Sequence, residues 1–89
     1  MCKVFICQIV DSLSEKITHT FMASNYDHAV RQFHDFLMSL KGKIHFDDFT
    51  LICPCCCTEI PETYDEAFGF SCANPNDSFR GDEVMKDEA

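Results

Sequence analysis

Residues 24–42, SNYDHAVRQFHDFLMSLKG, show the clearest periodicity in this sequence. At 100° per residue, one set of apolar side chains falls within an arc of about 120°, which is the width of one buried helix face. The set consists of Tyr26, Ala29, Val30, Phe33, Phe36, Leu37 and Leu40. This pattern predicts an amphipathic helix from about Asn25 to Lys41.

Both ends of this helix carry the residue types expected there. Ser24 is the predicted N-cap, and Asp27, three residues later, completes a shortened capping box at the positive end of the helix. At the other end, Lys41 complements the helix dipole. Gly42 can adopt the left-handed conformation that ends a helix.

The flanking segments favour strands. Residues 3–10 are almost uniformly apolar, which is typical of a strand covered on both faces, and polar residues 11–15 supply a turn. The next strand, Lys16 to Met22, alternates, with three side chains expected on one face: Ile17, His19 and Phe21. A third strand, 49–53, ends at Pro54. The order ββαβ predicts a small α+β fold, in which one helix packs on an antiparallel-type sheet.

The remaining sequence gives weaker signals. Residues 58–60 and 67–72 have the composition of short edge strands around a turn-like PETYDE. From residue 74 onward the chain is polar, acidic and poor in aliphatic side chains, so a disordered tail is expected. The predicted organisation is one α+β domain over residues 1–73, with its core at 3–53 and a Cys-rich segment at 53–57, and an acidic tail over 74–89.

Length and charge exclude several classes of protein. A chain of 89 residues is too short for two independent cores. The net charge is −8, and residues 51–89 carry nine acids against two bases. This balance opposes sequence-independent binding to a phosphate backbone. G-x-S-x-G and Walker-type motifs are absent, so we predict a non-enzymatic protein without a cofactor.

Three basic residues are the candidates for contact with nucleic acid or with an acidic partner: Arg31, Lys41 and Lys43. Arg31 lies opposite the buried helix face. Asp27 and Asp35 lie four residues to either side of it, so ion pairs with them are its expected alternative occupation. Lys41 and Lys43 flank Gly42 and have fewer neutralising neighbours.

Aromatic and histidine side chains offer a second set of candidates. Phe46 and Phe68 lie outside the predicted periodic elements and could form an exposed contact surface. Two histidines lie on the helix, outside its apolar arc and on different sides, one lies in a strand and one in a loop, so a solvated surface position is expected for each. They are His19, His28, His34 and His45.

The seven cysteines leave alternatives open. Cys53 and Cys56 form one C-x-x-C pair, to which Cys57, Cys72 or His45 could add zinc ligands. Thiols that pack as small apolar groups are the simpler interpretation. A thioredoxin-like redox motif is a third one, although such a motif should open a helix after a strand.

Several short patterns occur together in the first part of the chain. They are KVF at 3–5, Asp11-Ser12, a lone Phe21, the helix segment 27–33 and DFTL at 48–51. In this order and spacing the chain resembles the small non-structural protein of gokushoviruses, single-stranded DNA microviruses that include the phages of chlamydiae. The resemblance covers about residues 3 to 52.

The resemblance implies a non-enzymatic accessory role in phage DNA replication. Such proteins are described as DNA-binding, and as counterparts of the microvirus protein C, which turns duplex synthesis to single-strand synthesis coupled to packaging. The implied partners are the viral replication initiator, replicative-form or single-stranded DNA, or the procapsid, in the cytoplasm of the bacterial host. A homo-oligomer is a further candidate assembly. No membrane contact is expected, because no apolar run of about 18 residues is present.

Overall fold

The structure is a computed structural model that describes residues 5–54 and 60–86. The elements are β1 (Phe5–Asp11), β2 (Lys16–Ala23), α1 (Tyr26–Ser39), β3 (Phe49–Ile52), α2 (Tyr64–Ala73), β4 (Ser78–Arg80) and α3 (Gly81–Val84), with 3₁₀ turns at Phe46–Asp48 and Pro75–Asp77. The strands form one antiparallel sheet in the order β2-β1-β3-β4. The predicted α+β class and ββαβ order are therefore confirmed. Within the described ranges no helix is long and apolar enough to cross a membrane.

The β1–β2 hairpin contains a bulge that changes which face Ile17 occupies. Ile9 opposes His19 whereas Val10 opposes Ile17, so Thr18 has no opposite residue. The Thr18 hydroxyl instead donates to the Ile9 carbonyl oxygen at 2.9 Å. The extra residue reverses the alternation. Ile17 therefore packs beside Val10, while Phe21 and His19 lie on the other face, toward α1. The prediction that all three share one face is wrong for Ile17 and confirmed for His19 and Phe21.

Helix α1 covers one face of the sheet. Ala29, Phe33 and Leu37 are fully buried against residues of β1 and β3. Tyr26, also predicted on the buried face, is 39% exposed, although its ring still packs against Phe79. The buried face of α1 is therefore the predicted one, and only its first turn lies at the rim of the core.

The ends of α1 agree with the prediction at one side and differ at the other. Gly42 has a φ of +88°, the left-handed conformation expected after the helix. The N-cap, however, is Asn25 and not Ser24: the Asn25 side-chain oxygen accepts the His28 N–H at 2.8 Å. Ser24 donates its own N–H to Nδ1 of His28. Ser and Asn are both good caps, and the position at which the backbone turns extended decides between adjacent candidates.

Helix α2 covers part of the opposite face, where a strand was predicted for residues 67–72. That prediction is wrong. Thr63 caps the helix by accepting the Glu66 N–H at 3.3 Å. The i, i+3 spacing of Tyr64, Ala67 and Phe70 then brings these three side chains to Val10 and Ile52. Ile60 is not in a strand, and residues 58–59, in the other predicted edge strand, lie outside the described residues.

Coverage of both sheet faces explains the composition of β1. Cys7 and Ile9 are buried on the α1 side, and Val10 is buried on the α2 side with Ile52. The sequence expectation of a strand covered on both faces is therefore confirmed. The fold predicted from ββαβ had one helix on one face of the sheet. The second helix, α2, provides the cover on the other face.

The predicted disordered tail is wrong for residues 74–86. Strand β4 pairs with β3, with Phe79 opposite Leu51. The Asp77 carbonyl oxygen accepts the Cys53 N–H at 2.9 Å, and Met85 is fully buried. Phe79 and Met85 are surrounded in the sequence by polar residues, so the composition of the segment did not predict that it folds. The predicted boundary between residues 73 and 74 consequently falls inside a unit built on one sheet; residues 87–89 lie outside the described residues.

Gly81 lies where the backbone before α3 passes close to the 3₁₀ turn at Phe46. A Cβ at position 81 would overlap the Phe46 carbonyl oxygen and approach the Phe49 carbonyl oxygen to 3.1 Å. We expect Gly81→Ala to lower the free energy of unfolding by about 1–3 kcal/mol, measured by urea denaturation. Gly69→Ala is the matched control, because a Cβ at this position would meet no atom within 4 Å apart from its chain neighbours and the nearby backbone of its own helix. In a helix this control should stabilise by up to about 1 kcal/mol, and equal shifts for both variants would contradict the close approach.

Candidate functional site

Arg31 lies on the solvent side of α1 and is exposed. Neither of the expected ion pairs forms: no acidic group in the described part of the chain lies within 4.0 Å of its guanidinium. The Asp35 carboxylate instead lies 3.8 Å from Nδ1 of His34. The guanidinium can therefore contact a partner without first breaking an internal ion pair.

Lys41 and Lys43 lie in the turn that follows α1, on either side of Gly42, and both are exposed. Arg31 and Lys41 are ten positions apart, which corresponds to about 15 Å along a helix axis. The structure therefore separates Arg31 from the two lysines and does not bring the three predicted contact residues into one cluster. Such spacing suits separate, weak charge contacts better than one phosphate site.

The outer edge of β2 is open. In the sheet order β2-β1-β3-β4, β2 pairs with β1 alone, so no strand within residues 5–54 and 60–86 occupies its other side. The strand is eight residues long. Met22 near its end is 69% exposed. A long open edge with an apolar side chain is a surface to which another extended chain can add.

The backbone groups that point out of this edge can be assigned from the ladder. In antiparallel strands the N–H and C=O of successive residues point to alternate sides. Cys53 donates its N–H to Asp77 on the β4 side, so the backbone groups of Ile52 point toward β1. Ile52 opposes Gln8, and Gln8 opposes Thr20. Because Gln8 bonds toward β3, the N–H and C=O of Thr20 point away from β1, to the open edge.

Two cysteines that no sequence motif connects lie together in the core. The Sγ atoms of Cys7 and Cys53 are 3.6 Å apart, and both residues are buried. The thiol–thiol contact lowers the pKa of Cys7 below its ordinary value, against the opposing effect of burial. The sequence did not indicate this pair, because Cys7 lies outside the C-x-x-C motif and meets Cys53 only through strand pairing.

The predicted zinc ligands do not converge in the part of the structure that is described. Cys53 is buried on the α1 side of the sheet, whereas Cys72 is exposed on α2, which packs on the opposite face. His45 is exposed before a 3₁₀ turn. Cys56 and Cys57 lie outside the described residues. Among the described His, Cys, Asp and Glu side chains, no group of three could hold a metal ion.

The other histidines have local contacts. His28 accepts the Ser24 N–H at 3.0 Å, and the His19 ring packs edge-on against Phe36. His19, His28 and His45 are exposed, as predicted, and His34 is half-buried. The described histidines therefore lie at separate positions and do not form one site.

Gln8 is the one polar residue found in the core of the described chain. Its amide nitrogen donates to the Pro61 carbonyl oxygen at 2.8 Å and holds the segment before α2 against β1. Its Oε1 has no hydrogen-bond partner. Beside it lies an open pocket of about 950 Å³, also lined by Ile17, Thr20 and Glu66. A lone Gln among apolar strand residues was the sequence signal for this contact.

The exposed aromatic surface predicted from Phe46 and Phe68 exists only in part. Phe68 is 55% exposed, and it borders a cavity of about 250 Å³ between α2 and the sheet. Phe46 is half-buried against the α1-side core. The cavity is smaller than the roughly 300–1,000 Å³ of ordinary ligand sites, so we interpret it as a packing gap.

The surface features that could bind a partner are thus the open β2 edge and the three exposed cations. Inside the described part of the chain, the thiols of Cys7 and Cys53 lie in contact. Comparison with known proteins identifies no matching family model, no matching curated protein and no matching solved structure.

Proposed function

We propose that this chain is a non-enzymatic accessory protein of a single-stranded DNA phage. It acts in viral DNA replication, at the switch to single-strand synthesis and packaging, by binding the replication or packaging complex in the host cytoplasm. The phage context comes from the resemblance of residues 3 to 52. The open edge of β2 is the observation that carries the binding role.

An extended segment of a partner protein is the occupant that this edge favours. Main-chain hydrogen bonds from such a segment would reach the outward backbone groups of Thr20, and an apolar partner side chain would cover Met22. Native proteins usually protect long edges with charges, prolines or bulges. In β2 the charged residue, Lys16, is at the first position and the bulge is at Thr18, so both protective features lie in the first half of the strand. The second half has a regular, unprotected edge.

Electrostatics favour protein over DNA as the main contact. A net charge of −8 repels a phosphate backbone. Arg31, Lys41 and Lys43 are too far apart to neutralise one phosphate group together. We assign them weak contacts to DNA, or to an acidic surface, made once the partner protein has brought the chain to the complex.

Replacing Thr20 tests the edge directly. Thr20→Pro removes an outward N–H and adds a ring that obstructs strand addition, while the β1–β2 ladder keeps its bonds. Affinity for the viral replication initiator, measured by pull-down and biolayer interferometry, should fall at least tenfold, or about 1.4 kcal/mol. Thr20→Val is the matched control, since it changes the side chain and keeps the N–H; its affinity should equal that of the unmodified chain.

Circular dichroism of both variants establishes that they are folded before binding is compared. Equal affinity for Thr20→Pro and Thr20→Val would remove the edge from the mechanism. Absence of binding to initiator, replicative DNA and procapsid alike would overturn the proposed function. A gel shift over a salt series separates the DNA contribution, because its slope counts the phosphates neutralised.

A small zinc-stabilised interaction module that uses the Cys-rich segment is the second candidate. Cys53 and Cys56 would be ligands in it, and Cys7, whose Sγ lies 3.6 Å from that of Cys53, would take the place predicted for Cys72. Two thiolates on one tetrahedral zinc ion lie about 3.8 Å apart for Zn–S bonds of about 2.3 Å, close to the observed 3.6 Å. Elemental analysis of protein purified under reducing conditions tests this. Near one zinc per chain would support the module, and less than about a tenth would exclude a structural site.

A further inference from the structure

Cys7 and Cys53 occupy facing positions on neighbouring strands. Gln8 opposes Ile52 in the β1–β3 ladder, so continuing the register by one residue places Cys7 opposite Cys53. The residues are 46 positions apart in sequence, yet their Sγ atoms are 3.6 Å apart. Both side chains are almost completely buried, with 0% and 2% exposure. The fold therefore holds two thiols together in a fixed arrangement.

This arrangement has the backbone geometry that a disulfide requires. Cys53 donates its N–H toward β4, so it makes no ladder bond to β1, and the two cysteines form a non-hydrogen-bonded pair. Cα atoms in such pairs are about 4.5 Å apart, which lies within the disulfide range of roughly 4.4–6.8 Å. The sulfur atoms must approach by about 1.6 Å to form a bond of about 2.0 Å. Side-chain rotation can supply that movement without separating the strands.

We propose that Cys7 and Cys53 form a reversible disulfide within the folded chain when a small peroxide oxidises one of the thiols. The peroxide transfers one oxygen to the first thiol, giving a sulfenic acid and water. The second thiol attacks the sulfenic sulfur, the S–S bond forms, and a second water leaves. In total, two thiols and one hydrogen peroxide give one disulfide and two waters. A dithiol reductant returns both thiols.

The other described cysteine does not compete for this reaction. Cys72 is exposed on α2, on the opposite face of the sheet from the pair. The disulfide would join β1 to β3 and close a loop that contains the hairpin and α1. A closed loop has fewer unfolded conformations, so the oxidised chain should melt at a higher temperature than the reduced chain. This inference is independent of the proposed phage function.

The test uses the full-length chain with the other five cysteines replaced by alanine: Cys2, Cys55, Cys56, Cys57 and Cys72. After EDTA treatment and removal of reductant, stoichiometric hydrogen peroxide should lower the whole-protein mass by about 2 Da and reduce the thiol count from two to zero. Dithiothreitol should reverse both changes. The melting temperature of the oxidised form should rise by roughly 10 °C. The matched control adds Cys7→Ala and should instead gain oxygen at Cys53 or remain unchanged.

Intermolecular dimers, oxygen added to both sulfurs, or retention of two free thiols in the folded protein would overturn the proposal. If the five-alanine chain is not folded by circular dichroism, the unmodified protein is oxidised instead and digested with trypsin. Tandem mass spectrometry should then find Cys7 linked to Cys53, and a link from Cys7 to any other cysteine would contradict the inference. If no disulfide forms in zinc-free protein, and zinc added before the peroxide prevents oxygen addition to both thiols, the proposal is overturned and the pair belongs to a metal site.

Discussion

A chain that ends at Ala73 should lose the cooperative unfolding transition of the full-length protein. The deletion removes β4, which pairs Phe79 with Leu51 at the edge of the sheet, and it removes Met85, which is fully buried. Removing a buried methionine side chain alone costs about 2–5 kcal/mol. Small domains have only about 5 kcal/mol of stability to lose. Urea denaturation followed by circular dichroism should show a broad change without a sharp midpoint.

Adjacent point variants separate burial from chain length. Met85→Ala should lower the free energy of unfolding by about 2–5 kcal/mol. Lys86→Ala, at an exposed position, should change it by less than about 0.5 kcal/mol. A truncated chain with the midpoint of the full-length protein would mean that residues 74–89 are the dispensable tail that their composition suggested.

Phe33→Ala should destabilise the protein by about 3–5 kcal/mol, which approaches the total stability of a domain of this size. Phe33 lies in the middle of α1, is fully buried, and belongs to the core cluster that contains Ile9 and Leu51. Truncating it removes apolar contacts and leaves a cavity that α1 and the sheet can close only partly. The midpoint of urea denaturation should move to much lower concentration, and a partly unfolded population at 25 °C is expected.

Phe68→Ala is the matched control for Phe33→Ala. The same side-chain atoms are deleted from α2 at a position that is 55% exposed. We expect a loss below about 1 kcal/mol, since surface substitutions seldom cost more. Similar losses for the two phenylalanines would contradict the assignment of the main core to the interface between α1 and the sheet.

Local patterns predicted those elements whose own residues contain the necessary signal. The apolar arc around Phe33 predicted α1, and the alternation after Lys16 predicted β2. Gly42 marked the end of α1 because a residue without a Cβ adopts the positive φ observed there, +88°, at little cost. The contact residues Arg31, Lys41 and Lys43 were correctly expected at the surface.

Predictions failed where an element forms because of a distant neighbour. Residues 67–72 became helical because Ala67 packs on Val10, which is far away in the sequence. Residues 78–80 are mostly polar and became a strand because β3 offered an open edge. The bulge at Thr18 reversed the face of Ile17, and no single-strand pattern records where the partner strand inserts or omits a residue.

By itself the sequence determined an α+β protein with a hairpin, one amphipathic helix and a third strand, because these depend on periodicity and turn residues within short segments. Only the tertiary structure decided that Cys7 meets Cys53, that β4 and Met85 complete the core, and that β2 keeps an open edge. Each of these depends on which strands become neighbours. Strand pairing is chosen by the total burial and hydrogen bonding of the whole sheet, and a segment in isolation carries no record of that choice.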